Sequence, residues 1–171
     1  MSGGAFPPGT DQLRQWRSIS RLSSSVEAAG HWATLLVVGS FATGRADAMS
    51  DVDAFVLVDT GTFPVGWNHR HDLHDESVVA CWDTGLGEAF GGHKWLTSDL
   101  TYFDCAVAEP EAVTLRGPFV VAAGREDLVT RVHADPVPRQ DAPVWRIEGP
   151  KPIAVAYAEL KLAVRASTRP T

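Results

Sequence analysis

Apolar side chains at Leu13, Trp16, Ile19, Leu22 and Val26 recur every third or fourth position, which predicts an amphipathic helix over 11–29. Thr10 or Asp11 is its expected cap and Gly30 its stop. The β-branched and leucine run at 34–38 then predicts a buried strand. A second strand is expected over 52–58, entered from the Ser50-Asp51 corner and closed by the turn residues Asp59, Thr60 and Gly61. Further strands are predicted over 78–82, 100–107 and, briefly, 119–122. The polar stretch 62–76 reads as a short helix, and 85–92 as a glycine-rich loop. A second amphipathic helix is expected over 153–165.

Helices at both ends with strands between them predict an α+β fold, a mixed central sheet of about four to five strands flanked by helices. The expected organisation is a disordered Gly/Pro-rich start at 1–9, a core domain at 10–133, and a proline-rich connector with a C-terminal helix packing on the core at 134–171. A length of 171 residues with 44% hydrophobic side chains suits one domain with a real core.

The net charge of -6 argues against a chain that grips a nucleic-acid backbone, since that needs a basic stripe to displace counterions from phosphates. Nucleic acid is therefore an unexpected partner, and a small ligand the expected one. Cys81 and Cys105 are too few for a disulfide scaffold or a four-ligand zinc site, and both sit in apolar runs where buried free thiols are expected. The first residues lack an apolar core and no run of about 18 apolar residues occurs, so neither a secretory signal nor a membrane span is expected. A soluble cytoplasmic protein is the resulting expectation.

Candidate chemistry concentrates at GSFATGRADAMSDVD, residues 39–53. Side chains two apart on a strand share a face, so Asp51 and Asp53 bring two carboxylates together. Their repulsion calls for a cation, and magnesium suits oxygen donors of this kind. Gly39 and Ser40, directly after the buried strand, offer backbone N–H groups and a hydroxyl to a phosphate. Gly44 is expected to end the short helix that follows, and Arg45 to reach an anionic group. The stretch His69 to Asp75 raises a transition-metal site, but nothing else at suitable spacing completes a tetrahedral set, and a polar surface segment near the substrate mouth is the preferred reading. Trp67, Trp82 and Trp95 are read first as core or pocket wall, with one of them a candidate to pack against a base.

An apolar strand, Gly39-Ser40, ten intervening residues, Asp51-Val52-Asp53 and a second apolar strand together resemble the signature of the nucleotidyltransferase superfamily with the DNA polymerase beta-like fold. The pattern is most similar to its small bacterial antibiotic nucleotidyltransferases, of aminoglycoside or lincosamide type, and to the minimal nucleotidyltransferases, over about 31–123. The resemblance implies a third carboxylate on a neighbouring strand, for which Asp104 is the first candidate and Asp99 the second. That group either completes the metal site or acts as base toward the acceptor. The implied activity is magnesium-dependent transfer of a nucleoside monophosphate from a nucleoside triphosphate, expected to be ATP, to a hydroxyl of a small molecule such as an antibiotic. Asp51, Asp53 and Asp104 would hold Mg2+, and Gly39, Ser40 and Arg45 the nucleotide. Two alternatives stand beside it: a minimal nucleotidyltransferase modifying a protein partner, as in toxin–antitoxin pairs, and a non-catalytic nucleotide-binding module. The relatives commonly carry a helical domain after this core, a role for which the helix expected over 153–165 is the candidate here, so either an open acceptor site or one completed by a homodimer or a protein partner is expected.

Overall fold

The computed structural model describes residues 5–135. The expected helix at 153–165 and nearly all of the proline-rich connector lie outside them. Helix α1 spans Trp16–Ala28, strand β1 Thr34–Val37, the short helix α2 Gly39–Ala42, and β2 Val52–Leu57. Helix α3, Phe63–Asn68, leads through a 3-10 turn at Arg70–Leu73 into β3, Val78–Leu86, and β4, Phe90–Thr97. Then come β5, Tyr102–Ala108, the short β6, Thr114–Leu115, β7, Val120–Gly124, and β8, His133–Ala134. Six strands form one mixed sheet in the order β3-β4-β5-β2-β1-β7, and β6 pairs with β8 in a small second sheet. Only β2 and β5 run parallel within the large sheet, all its other pairs being antiparallel.

Strand alternation sorts the side chains of the sheet. Leu35, Val37, Val52, Ala54, Val56, Phe103, Cys105 and Val107 face α1 and α3, where they meet Ile19, Leu22, Val26 and Trp67 in the main core. Burial of each large side chain there contributes about 1.5–3 kcal/mol. The opposite face is covered at one end by Leu115, Phe119 and Leu128, which pack on Leu36 and Leu57.

Several expectations need correction. The helix starts at Trp16 rather than residue 11, because Thr10–Gln12 form a separate 3-10 turn in which the Thr10 hydroxyl donates to Pro7 O at 2.7 Å. Gln15, not Thr10 or Asp11, occupies the cap position. Phe6 stands edge-on to Trp16 with centroids 5.1 Å apart, so the end of the Gly/Pro-rich start is packed. The expected loop at 85–92 is a hairpin: β3 continues to Leu86 and β4 begins at Phe90. Its glycines serve packing, since a Cβ on Gly91 would overlap the Trp67 ring and one on Gly92 would overlap Thr84. Cys81 is exposed and only Cys105 is buried, because β3 is an edge strand whose residues are covered from one side at most. Among the described residues no helix is long and apolar enough to cross a membrane.

Candidate active site

The Gly39-Ser40 turn and the Asp51/Asp53 pair meet because β1 and β2 are antiparallel neighbours, with Val37 opposite Ala54. Val38 N–H donates to Asp53 O at 2.9 Å, which ties the start of α2 to the aspartate's own backbone. Gly39 adopts φ +66°, and a Cβ there would overlap Asp53 Oδ2 and stand 3.3 Å from its Cγ. Only glycine lets the turn close over the carboxylate in this backbone region. Ser40 is the second residue of α2 and half-buried. Gly44, at φ +70°, follows the end of that helix. Arg45 is exposed, and its Nε donates to Thr43 Oγ1 at 3.3 Å, so it is drawn back onto the helix end.

The parallel pairing of β2 with β5 sets Asp53 directly beside Asp104. Asp51 lies one residue ahead of β2 rather than inside it. Asp104 sits opposite Lys94 in the β4–β5 register, and Lys94 Nζ donates to Asp104 Oδ2 at 2.6 Å. Asp104 is 44% exposed and Lys94 22%, so Asp104 is a partly exposed residue held by an ammonium. Two residues along the same strand face is Tyr102. Burial and then the charges of Asp104, Asp51 and Asp53 push its phenol pKa upward. Trp82 stacks on Tyr102 with centroids 5.8 Å apart and forms an apolar ledge beside the Lys94–Asp104 pair.

Asp99 is occupied elsewhere. Its Oδ1 accepts from the Thr97 hydroxyl at 2.6 Å and from Thr101 N–H at 3.0 Å, closing the β4–β5 turn. Burial opposes its ionisation, but these hydrogen bonds outweigh that effect and hold its pKa below the ordinary value. Arg14 spans the neighbouring segments, donating from Nε to Ala48 O at 2.8 Å, from one terminal nitrogen to Asp99 O, and from the other to Leu100 O at 3.2 Å.

Gln15 braces the approach to Asp51 from the helix side. Fully buried, it donates from Nε2 to Ser50 O at 2.8 Å and to Asp47 O at 3.0 Å. The loop is closed internally by Asp47 N–H to Ser50 Oγ at 2.9 Å and by Met49 N–H to Asp47 Oδ1 at 2.9 Å. Lys94, Gln15 and Tyr102 were absent from the sequence-based set. The sequence assigns no element to 93–99, so nothing there places Lys94 on a strand face.

His93 and Lys94 are consecutive on β4 and point to opposite faces. The histidines at 71, 74 and 93 therefore sit on the helix side of the sheet, away from the aspartates, and not at a mouth they share. A groove of about 380 Å³ also lies elsewhere, between Phe6, Trp16 and Val121. The aspartate site is an open shelf on the sheet.

Residues 19–113 match the family model described as nucleotidyltransferase domain. No curated protein matches the chain.

Proposed function

The chain belongs to the nucleotidyltransferase domain family, and from that premise we propose that it transfers a nucleoside monophosphate from a nucleoside triphosphate to a hydroxyl of a small acceptor. The acceptor oxygen attacks the α-phosphorus, the bond to the bridging oxygen breaks, and pyrophosphate leaves with that electron pair. The observation that carries the reading is the meeting of Gly39, Asp53 and Asp104, with the glycine backbone lying against the Asp53 carboxylate.

The donor set fits Mg2+: three carboxylates on one open shelf supply hard oxygen ligands and leave room for water and phosphate oxygens. Asp51, Asp53 and Asp104 would hold the ion, which when bound neutralises charge on the phosphates and on the leaving pyrophosphate. The backbone N–H groups at the start of α2 and the Ser40 hydroxyl would orient the triphosphate. Asp104 would complete that metal site or take the hydroxyl proton. Lys94 balances Asp104 before substrate arrives and is free to turn to a phosphate oxygen once the carboxylate is engaged. The Trp82–Tyr102 ledge offers an apolar wall for a base or for the acceptor, and ATP is the proposed donor. A cytoplasmic setting, where nucleotides and magnesium are abundant, fits this reading.

An antibiotic such as an aminoglycoside is the proposed acceptor class, its cationic groups suiting the acidic shelf. A protein acceptor is favoured by a different observation: the edge strand β3 exposes Val79 at 62% and Leu86 at 65%. The test is incubation of the chain with each nucleoside triphosphate, magnesium and a panel of antibiotics, following pyrophosphate release and the mass of the acceptor. Release with a mass gain of one nucleotide on an antibiotic supports the first reading. Labelling of protein alone supports the second.

A further inference from the structure

We propose that the chain carries a second, transition-metal site on the opposite face of β4, formed by His71, His74 and Cys81 with His93 as fourth ligand, and that zinc is its ion. The ligand atoms of His71, His74 and Cys81 all lie within 4.8 Å of one another. His74 Nε2 and His93 Nε2 face each other at 2.7 Å, and the His71 and His93 rings are 5.1 Å apart between centroids. Tetrahedral zinc, with bonds of about 2.0–2.1 Å to nitrogen and about 2.3 Å to sulfur, needs its ligand atoms roughly 3.3–3.7 Å apart. The sequence places Cys81 on an expected strand over 78–82 but assigns no element to His93, so the set does not assemble from the sequence.

The surroundings are those of a metal site. His93 is fully buried, and its Nδ1 lies 2.7 Å from Asp83 Oδ1. Asp83 is held in turn by Arg70, whose Nε and Nη2 reach its oxygens at 3.0 and 2.8 Å. A carboxylate bound by arginine can only accept, so His93 donates Nδ1–H to it and presents the Nε2 lone pair toward His74. A histidine fixed in this way, with its other nitrogen aimed at a ligand position, is the usual second layer of a zinc centre. Arg70 is itself anchored, with its guanidinium 4.5 Å from the centre of the Trp67 ring. Without an ion, the single proton between the two facing nitrogens is given by His74. Binding zinc through Nε2 moves that proton to His74 Nδ1 and releases the Cys81 thiol proton. Four protein ligands leave no open position, so the ion is structural and pins the 70–74 segment to the edge hairpin.

The full chain is stripped with a chelator and titrated with Co2+ or Zn2+ alone, with no nucleotide. Wild type is expected to bind one equivalent, to show the intense thiolate-to-cobalt absorption, and to lose reactivity of Cys81 toward a thiol reagent at least tenfold when zinc is added. Buried Cys105 leaves Cys81 as the thiol the assay reads. Cys81→Ser should abolish the thiolate band, His74→Ala should abolish zinc protection of Cys81, and Asp83→Asn should weaken zinc about 10–100-fold. Asp53→Asn and His69→Ala should leave all three readouts unchanged. Failure to bind an equivalent of metal, protection that survives in His74→Ala, or loss of binding in Asp53→Asn or His69→Ala would overturn the assignment. Because Cys81 is exposed, its serine variant is expected to melt with wild type in chelator. A loss of fold in that variant would shift the decision to the His74→Ala protection result.

Discussion

Gly39 and Asp53 are packed so closely that a single methyl group cannot be placed between them. The turn at the end of β1 and the second aspartate of the Asp51-Val52-Asp53 run are therefore one structural unit. Gly39→Ala must both hold alanine at φ +66° and displace the Asp53 carboxylate. The backbone conformation alone costs on the order of 1–2 kcal/mol. The expected outcome is a lower melting temperature and a fall in nucleotidyl transfer of at least ~100-fold, read by thermal denaturation and pyrophosphate release.

Lys94 and Asp104 form a testable pair. In a double-mutant cycle with Lys94→Met and Asp104→Asn, the coupling in stability without ligand should be below about 1 kcal/mol, since Asp104 is partly exposed to solvent. The kinetic outcome is different: Asp104→Asn should lose most of kcat, whereas Lys94→Met should chiefly raise KM for the nucleotide. Equal kcat losses in both single mutants would show that the pair acts only as a unit.

Gln15→Leu removes the donor to two backbone carbonyls, Asp47 O and Ser50 O, within a buried side-chain site. Leaving acceptors unsatisfied costs about 1–3 kcal/mol. The loop it braces leads straight into Asp51, so KM for the nucleotide should rise as well. Denaturant unfolding and steady-state kinetics check the two effects separately.

Asp99 supplies the pH test. Its folded-state pKa lies below the ordinary value, so the carboxylate contributes stability above its unfolded pKa of about 4, and that contribution is lost as pH falls through the folded value. Asp99→Asn should be less stable than wild type at pH 7, with the gap closing below about pH 4. The melting shift produced by magnesium with a non-hydrolysable nucleotide should stay as in wild type, because Asp99 closes a turn. A reduced ligand shift would bring Asp99 back into the site.

Much of this arrangement was legible in the chain. The buried strands β1, β2 and β5 announce themselves as apolar runs, and α1 through Ile19, Leu22 and Val26, all of which are buried. Asp51 and Asp53 could be paired by strand periodicity and Gly39 and Ser40 by their place after an apolar strand, whereas Asp104 was named as the third carboxylate that the family resemblance implies. What escaped the sequence depends on partners far along the chain. The glycines of β4 look like loop residues, yet they are small because Trp67 and Thr84 press on them. Lys94 has no local signal of a role until the β4–β5 register sets it against Asp104. Gln15 resembles any polar residue at a helix start, and only the fold turns it inward. Cys81 sits in an apolar run but lands on an edge strand, so pattern alone misjudged its exposure.

The most direct measurement compares wild type with Asp53→Asn for pyrophosphate release from a nucleoside triphosphate in the presence of magnesium and an acceptor that supports turnover. Asp53 is placed beside Asp104 by strand register and under Gly39 by the turn, and loss of its charge removes several kcal/mol of stabilisation from the reacting phosphate. The account predicts a rate reduced by at least ~1,000-fold in a variant that melts within a few degrees of wild type. Full activity in a folded Asp53→Asn variant would contradict it.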